Sequence, residues 1–127
     1  MIFYDFEVFE KDWLAVFIDV TNKKEHVIIN SPDKLKALYE ANRKDIWVGF
    51  NNRHYDQYIM KGILLGMNPK KINDWIIVDN KEGWQYSRAF NKLPMINYDV
   101  MPSNDRNHEN SRIENNGRFS WFKHQGN

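Results

Sequence analysis

Two carboxylates stand two positions apart near the amino terminus, at Asp5 and Glu7. The residues around them are aromatic or apolar and favour a β-strand, in which positions two apart point to the same face. Burying such acids without a partner costs on the order of several kcal/mol each, and a divalent cation would remove that cost. The alternative interpretation is an exposed edge face on which the two acids simply meet water.

A third carboxylate, Asp56, follows the short apolar run Ile46–Phe50. That run is typical of a strand buried on both faces, and Asp56 would lie in the first turn of the next helix. The carboxyl ends of parallel strands commonly build binding sites. We therefore predict that Asp5, Glu7 and Asp56 converge on one divalent cation. Oxygen ligands suit Mg²⁺ or Mn²⁺, and Zn²⁺ becomes an option if His54 joins them.

The elements that must position these acids follow from the hydrophobic pattern. Ser31-Pro32-Asp33 is a helix start, with Ser31 as the N-cap and Pro32 in the first helical position. The predicted strands are 1–9, 13–20, 25–30, 46–50 and 95–101, with helices from Ser31 and over 55–65 and a short helix or turn over 73–78. The order β-β-β-α-β-α-β predicts an α/β fold, of the α+β mixed-sheet kind, with helices packed on the sheet.

The sequence changes character near residue 102. Residues 1–101 are patterned as a globular domain, whereas 102–127 are dense in Asn, Arg, Glu and Asp and show neither strand nor helix periodicity. Aromatic residues return only near the end, at Phe119, Trp121 and Phe122. We therefore divide the chain into a domain over 1–101 and an irregular tail over 102–127.

Two segments resemble motifs of a known family. Phe3-Tyr4-Asp5-Phe6-Glu7 is similar to the first motif of the DEDD 3′–5′ exonucleases, which have a ribonuclease H-like fold. Residues 49–56, Gly49 through Asp56, resemble the second motif in its family-B DNA polymerase form, as found in phage polymerases. The resemblance implies a ribonuclease H-like core of about five strands with flanking helices. It also implies that Asp5, Glu7 and Asp56 are metal ligands and that Asn51 contacts the substrate strand.

The resemblance stops before the third motif of that family. The family has a fourth carboxylate about four residues after a Tyr or His, and the tail has no such pair. Asp99, in the last predicted strand, matches no family carboxylate that we can place, so it is either a further metal ligand or a helix cap at the end of that strand. Back-translation of Glu114–Asn127 into a neighbouring reading frame permits a sequence of the type that the family shows. We therefore hypothesise a truncated domain with a frameshift-derived tail.

Composition excludes several function classes. The 127 residues include no cysteine, carry a formal net charge of +1, and contain no apolar run long enough for a membrane helix. Disulfide frameworks, thiolate chemistry and a general electrostatic attraction to nucleic acid are therefore absent. The amino terminus lacks a signal-peptide pattern, so we expect a protein in the cytoplasm of a host bacterial cell.

Two functions remain. The first is a metal-binding, non-catalytic phage protein that acts by binding a host protein, with self-association left open. Its size and kind suggest an anti-CRISPR inhibitor of a type II Cas nuclease, and Phe119, Trp121 and Phe122 are candidate contacts because aromatic anchors dominate interfaces. The alternative is an active metal-dependent 3′–5′ exonuclease of the proofreading type, acting on single-stranded DNA. The missing fourth carboxylate and general base favour the first.

Overall fold

A computed structural model describes residues 1–50 and 55–100 of the chain. Its strands and α-helices are β1 (Ile2–Val8), β2 (Trp13–Asp19), β3 (Lys24–Ile29), α1 (Pro32–Ala41), β4 (Ile46–Phe50), α2 (Asp56–Leu64), α3 (Pro69–Asn73) and β5 (Ile96–Val100). The five strands predicted from the sequence are confirmed, and so is a mixed α+β fold. The tail over 102–127 lies outside the described residues, so its predicted irregularity stays a prediction.

The strands form one mixed sheet in the order β3-β2-β1-β4-β5. β1 is central: it pairs antiparallel with β2 along its whole length, from Ile2↔Asp19 to Val8↔Trp13. On its other side β1 pairs in parallel with β4, and that register runs only from Ile2 to Tyr4. Asp5 and the rest of β1 therefore continue past the register with β4, at the carboxyl ends of two parallel strands. A crevice at such a position is where open α/β sheets bind ligands.

The helices pack on one face of the sheet, and this face holds the core. Alternating residues of β1 point into it, and their aromatic rings meet rings of β2 and β4: Tyr4 lies edge-on to Trp47 at 5.7 Å between ring centroids. The Tyr4 hydroxyl also donates to Asn97 Oδ1 at 2.5 Å, which ties β1 to β5 across β4. The buried core comprises Ile2, Tyr4, Phe6, Trp13, Ala15, Phe17, Ile28, Leu35, Tyr39, Trp47, Ile59, Met60, Ile63, Ile72, Ile76 and Phe90.

The predicted start of α1 is confirmed in detail. Ser31 is the N-cap, its side chain accepts from the Lys34 backbone N–H at 3.3 Å, and Pro32 opens the helix. The helix then buries Leu35 and Tyr39 against the sheet. The cap residue and the apolar spacing are local signals, which is why the sequence is sufficient to place this helix.

Between α2 and β5 the sequence prediction is confirmed in part. The short helix or turn predicted over 73–78 is present as a π-helical turn over Asp74–Val78, but the chain becomes helical earlier, at Pro69. The earlier start follows from Asn68, whose side chain caps the Lys70 backbone N–H at 2.9 Å. Two 3₁₀ turns, Gly83–Gln85 and Arg88–Lys92, were not predicted.

The other face of the sheet is here called the open face. It carries the alternate strand residues Phe3, Asp5, Glu7, Leu14, Val16, Ile18, Glu25, Val27, Ile29, Ile46, Val48, Phe50, Ile96, Tyr98 and Val100. Large apolar side chains at its two edges are exposed, from 46% at Val100 to 64% at Tyr98. The described helices contribute to the core on the opposite face. At the centre of the open face Asp5, Val16 and Val48 are buried, with 3%, 8% and 5% of their surface exposed. None of the described helices is long and apolar enough to cross a membrane.

Candidate metal centre

Asp56 is the first residue of α2 and is fully buried, with 0% of its surface exposed. Its Oδ1 accepts a hydrogen bond from the backbone N–H of Phe6 at 3.1 Å. Phe6 belongs to the part of β1 that continues past the register with β4, so Asp56 occupies the crevice between these strands. The first turn of a helix also favours a negative charge, because its backbone N–H groups carry partial positive charge. The structure thus brings Asp56 onto β1 across fifty positions of sequence.

The start of α2 is held in place by a second contact. Tyr55, the N-cap residue, donates through its hydroxyl to Asn73 Oδ1 at 2.6 Å, which joins α2 to the end of α3. The helix then buries Ile59, Met60 and Ile63 against the sheet. The carboxylate of Asp56 is therefore positioned by two neighbouring elements and by the apolar face of its own helix.

Asp5 and Glu7 flank Phe6 on β1. Asp5 is 3% exposed and lies opposite Val16 of β2, whereas Glu7 lies opposite Leu14 and is half-buried. Both side chains belong to the open face by the alternation of the strand. The backbone position bound by Asp56 is thus bracketed by the other two acids. Asp5 and Asp56 are both buried, and Asp56 binds the backbone of Phe6, the residue that follows Asp5 in β1.

This arrangement can favour a divalent cation for an electrostatic reason. Like charges held close together in a buried site repel one another, and a divalent cation between them would offset both charges. Carboxylate oxygens are the ligands of Mg²⁺ and Mn²⁺. Within residues 1–50 and 55–100, however, no group of three or more His, Cys, Asp or Glu side chains is gathered closely enough to hold a metal ion. The convergence of Asp5, Glu7 and Asp56 on one cation therefore stays a prediction.

Asp99 lies on the other side of β4 from β1. It pairs in register with Gly49, which in turn pairs with Tyr4, so its side chain belongs to the helix-covered face and is half-buried. Whether it reaches a metal stays a prediction. The remaining candidates, Asn51, His54, Phe119, Trp121 and Phe122, lie outside the described residues.

The contact that organises the site could not be found from the sequence. The sequence identifies the acceptor side chain, Asp56. Its donor is the backbone N–H of Phe6, and residue types do not indicate which backbone N–H will bind a given side chain. The tie between Tyr4 and Asn97 was missed as well. Its only signal was a Tyr and an Asn at inward-facing positions of two strands whose order in the sheet was not yet known.

Burial also perturbs two side chains on the outer part of α2. Burial raises the pKa of Tyr58, with a further increase from the negative charge of Glu82. Burial lowers the pKa of Lys61, whose ammonium lies 5.8 Å from the centroid of the Tyr58 ring. Because the pKa of Tyr58 is raised above its ordinary value of 10.0, its hydroxyl is not tuned for proton transfer near pH 7.

Comparison of the chain with protein-family models, curated proteins and solved structures found no match. The geometry of the residues themselves therefore carries the functional argument.

Proposed function

We propose that this chain is a ribonuclease H-like domain of the DEDD exonuclease type that binds one divalent cation and acts by binding a protein, without cutting DNA. The observation that carries this proposal is the position of Asp56. Fully buried at the start of α2, it is hydrogen-bonded to β1 at the residue next to the buried Asp5. A divalent cation would offset the charges of two buried carboxylates that lie this near each other along the chain and the sheet.

The sheet topology supports the fold part of the proposal. A central β1 between an antiparallel meander and two parallel strands is the arrangement expected of a ribonuclease H-like core. The first carboxylates lie in β1, and Asp56 follows β4, as the resemblance to the exonuclease motifs implies. Asp5, Glu7 and Asp56 would hold the cation, with His54 or Asp99 as further candidate ligands. The bound cation would stabilise the folded state, because its positive charge would offset the negative charges of the neighbouring carboxylates.

The exposed apolar side chains at the two edges of the open face support the protein-binding part. Val27, Ile29, Ile96, Tyr98 and Val100 expose between 46% and 64% of their surface on one face of one sheet. They form two separate groups, one on each edge strand of the sheet, and exposed apolar groups of this kind can mark interaction sites. The partner we propose is a host protein, with a CRISPR-associated nuclease of type II as the specific candidate. The protein would then be phage-encoded and act in the cytoplasm of the host bacterial cell.

The second candidate function is 3′–5′ exonuclease activity on single-stranded DNA. The same placement of Asp5 and Asp56 favours it, since the family uses these positions to hold two ions about 3.5–4 Å apart that activate water and stabilise the leaving oxygen. Three carboxylates would hold the second ion poorly, and we therefore expect no useful rate.

Two measurements on the purified full-length chain test the proposal. We expect Mg²⁺ or Mn²⁺ to raise the melting temperature and chelation to lower it in the wild type, with no such response in Asp5→Asn. We expect no digestion of end-labelled single-stranded DNA in either metal. A melting temperature that changes neither with Mg²⁺ or Mn²⁺ nor with chelator would contradict the cation site. Digestion that depends on a DNA end and is abolished by Asp5→Asn would establish the exonuclease instead.

A further inference from the structure

The outer edge of β3 is one border of the sheet. Within residues 1–50 and 55–100, β3 has a single strand neighbour, β2, and its register with β2 is continuous. The side chains of Val27 and Ile29 at this edge are 54% and 61% exposed. Native edge strands are commonly protected from pairing by charge, proline or a bulge, whereas the second half of β3 is Val, Ile and Ile. An edge of this composition favours the addition of another strand.

The hydrogen-bond pattern shows which backbone groups of β3 point outwards. In an antiparallel pair, residues whose N–H and C=O groups bind the neighbouring strand alternate with residues whose groups point away from it. The Asn30 N–H donates to the Trp13 carbonyl at 3.2 Å, so position 30 is one of those that bind β2. By alternation, Glu25, Val27 and Ile29 direct their backbone groups to the outer edge.

A groove with a volume of about 570 Å³ runs along this edge between β3 and α1, which leaves room for the side chains of an added strand. The helix contributes two small exposed residues, Ala37 and Ala41, and the half-buried Leu38. One acidic residue, Glu25, and one lysine, Lys34, also line the groove. Glu25 lies near the start of β3, whereas Lys34 lies in the first turn of α1, just after the end of β3. The two charges therefore stand at opposite ends of the groove.

A second copy of β3, placed antiparallel, fits the outward-pointing groups. In a two-fold symmetric pair, residue i meets residue j and residue j meets residue i. With Val27 opposite Val27 of the second copy, Glu25 lies opposite Ile29, so every outward-pointing residue meets another one. Each of these residue pairs can exchange two backbone hydrogen bonds.

The ends of the strand select this alignment. Lys23 and Asn30, which bound β3, have φ angles of 55° and 53°, in the left-handed region that a strand does not continue through. A shift of two residues in either direction would pair one of the outward-pointing residues with a position beyond these bounds. Only the alignment centred on Val27 keeps all three pairs within the strand.

The charges of the groove agree with the same alignment. An antiparallel second copy reverses the groove, so Glu25 of each copy approaches Lys34 of the other. Opposite charges placed in this way favour a partner of the same sequence and fix its direction.

We propose that this chain forms a symmetric dimer in which the β3 strands of two copies pair antiparallel about Val27, so that the two sheets become one continuous sheet. The α1 helices of the two copies then flank the new pair of strands on the same side. The inference concerns β3 and α1, and it depends neither on the cation nor on the protein partner proposed above.

Sedimentation equilibrium of the full chain in the presence of chelator measures the assembly. We expect the mass of the wild type to rise with concentration towards that of two chains. Val27→Lys places like charges opposite each other and should weaken dimerisation by about tenfold or more. The matched control is Ile96→Lys, which changes an exposed apolar residue of the other edge strand, β5, and should dimerise as the wild type does. A wild-type chain that stays monomeric up to its solubility limit, or a dimer lost only in Ile96→Lys, would overturn the inference.

Amide hydrogen exchange tests the pairing residue by residue. Exchange at Glu25 and Ile29 should be about tenfold or more faster in Val27→Lys than in the dimeric wild type, because their N–H groups bind the second copy. Exchange at His26 and Ile28 should change little, since these N–H groups bind β2 in both proteins. Equal exchange at Glu25 and Ile29 in the two proteins would contradict the pairing. Protection of these two residues in a chain that sediments as a monomer would overturn the dimer in favour of another segment of the same chain on this edge.

Charge reversal tests the direction of the second copy. Glu25→Lys and Lys34→Glu should each weaken dimerisation, because each brings like charges together at both ends of the groove. The double variant restores opposite charges and should dimerise more tightly than either single variant. A double variant that dimerises no better than the single variants would contradict the antiparallel alignment.

Discussion

The Oδ1 atom of Asp56 should contribute to stability through its hydrogen bond with Phe6, and two substitutions separate the effect of this atom from the effect of the negative charge. Its Oδ1 accepts from the Phe6 N–H in a position with no access to solvent. Asp56→Ala removes the acceptor and leaves a buried backbone donor without it, which typically costs about 1–3 kcal/mol. Asp56→Asn keeps an oxygen of the same reach and nearly the same volume, so the hydrogen bond can persist.

We therefore expect Asp56→Ala to lower the free energy of unfolding by about 1–3 kcal/mol and Asp56→Asn to lower it by less than about 1 kcal/mol. In the absence of divalent metal the Asn variant also loses a negative charge beside Asp5, which removes repulsion and offsets part of any loss. Equilibrium urea unfolding in the presence of chelator measures both differences, and the slope with denaturant shows whether the native state stays compact.

Amide hydrogen exchange at Phe6 supplies the residue-level readout. Exchange should accelerate in Asp56→Ala and stay close to wild type in Asp56→Asn, because only the first variant removes the acceptor. Equal stability losses in the two variants, with unchanged exchange at Phe6 in both, would refute the reasoning. The carboxylate would then act through its charge alone or through a contact elsewhere.

Three other predictions concern the scaffold around the site. Gly83→Ala should destabilise the fold by about 1–3 kcal/mol in urea unfolding, because the new Cβ would lie 2.3 Å from Cδ2 of the rigid Tyr58 ring; a neutral effect would show that the ring moves freely. Tyr4→Phe should cost about 0.5–1.5 kcal/mol by loss of the hydrogen bond to Asn97, and no change in melting temperature would contradict the tie between β1 and β5. Because burial lowers the pKa of Lys61 below 10.5, the unfolded chain binds more protons at alkaline pH, and the contribution of Lys61 to stability rises as the pH climbs through this range. The stability difference between wild type and Lys61→Met should therefore shift in favour of wild type as the pH rises towards 10.5, and a constant difference would argue against burial of the charge.

The sequence predicted the parts of the fold that depend on local signals. Alternation and short apolar runs predicted the strands, and Ser31 with Pro32 predicted the start of α1. It failed where burial is decided by distant partners. Phe90 is 2% exposed and packs 5.5 Å from the Tyr58 ring, yet it lies in a 3₁₀ turn too short to show any periodicity.

For the candidate site, too, the sequence predicts which residues take part but not how they are arranged. Asp5, Glu7 and Asp56 are identifiable because an acid within an apolar strand, or directly after one, is conspicuous in the sequence. Their geometry depends on where the register between β1 and β4 stops, after Tyr4. That stop leaves the Phe6 N–H available to Asp56, and it is a property of the assembled sheet that no single segment encodes.

Direct titration with Mn²⁺, followed by electron paramagnetic resonance, tests the central claim most closely. The signal of free Mn²⁺ should fall in proportion to one ion bound for each wild-type chain, with Asp5→Asn and Asp56→Asn each abolishing that binding. Asp79→Asn, which changes an exposed acid in the turn after the π-helix, is the matched control and should bind as wild type does. Absence of binding by a folded wild-type chain, or binding that both site variants retain, would contradict a metal centre built on Asp5 and Asp56.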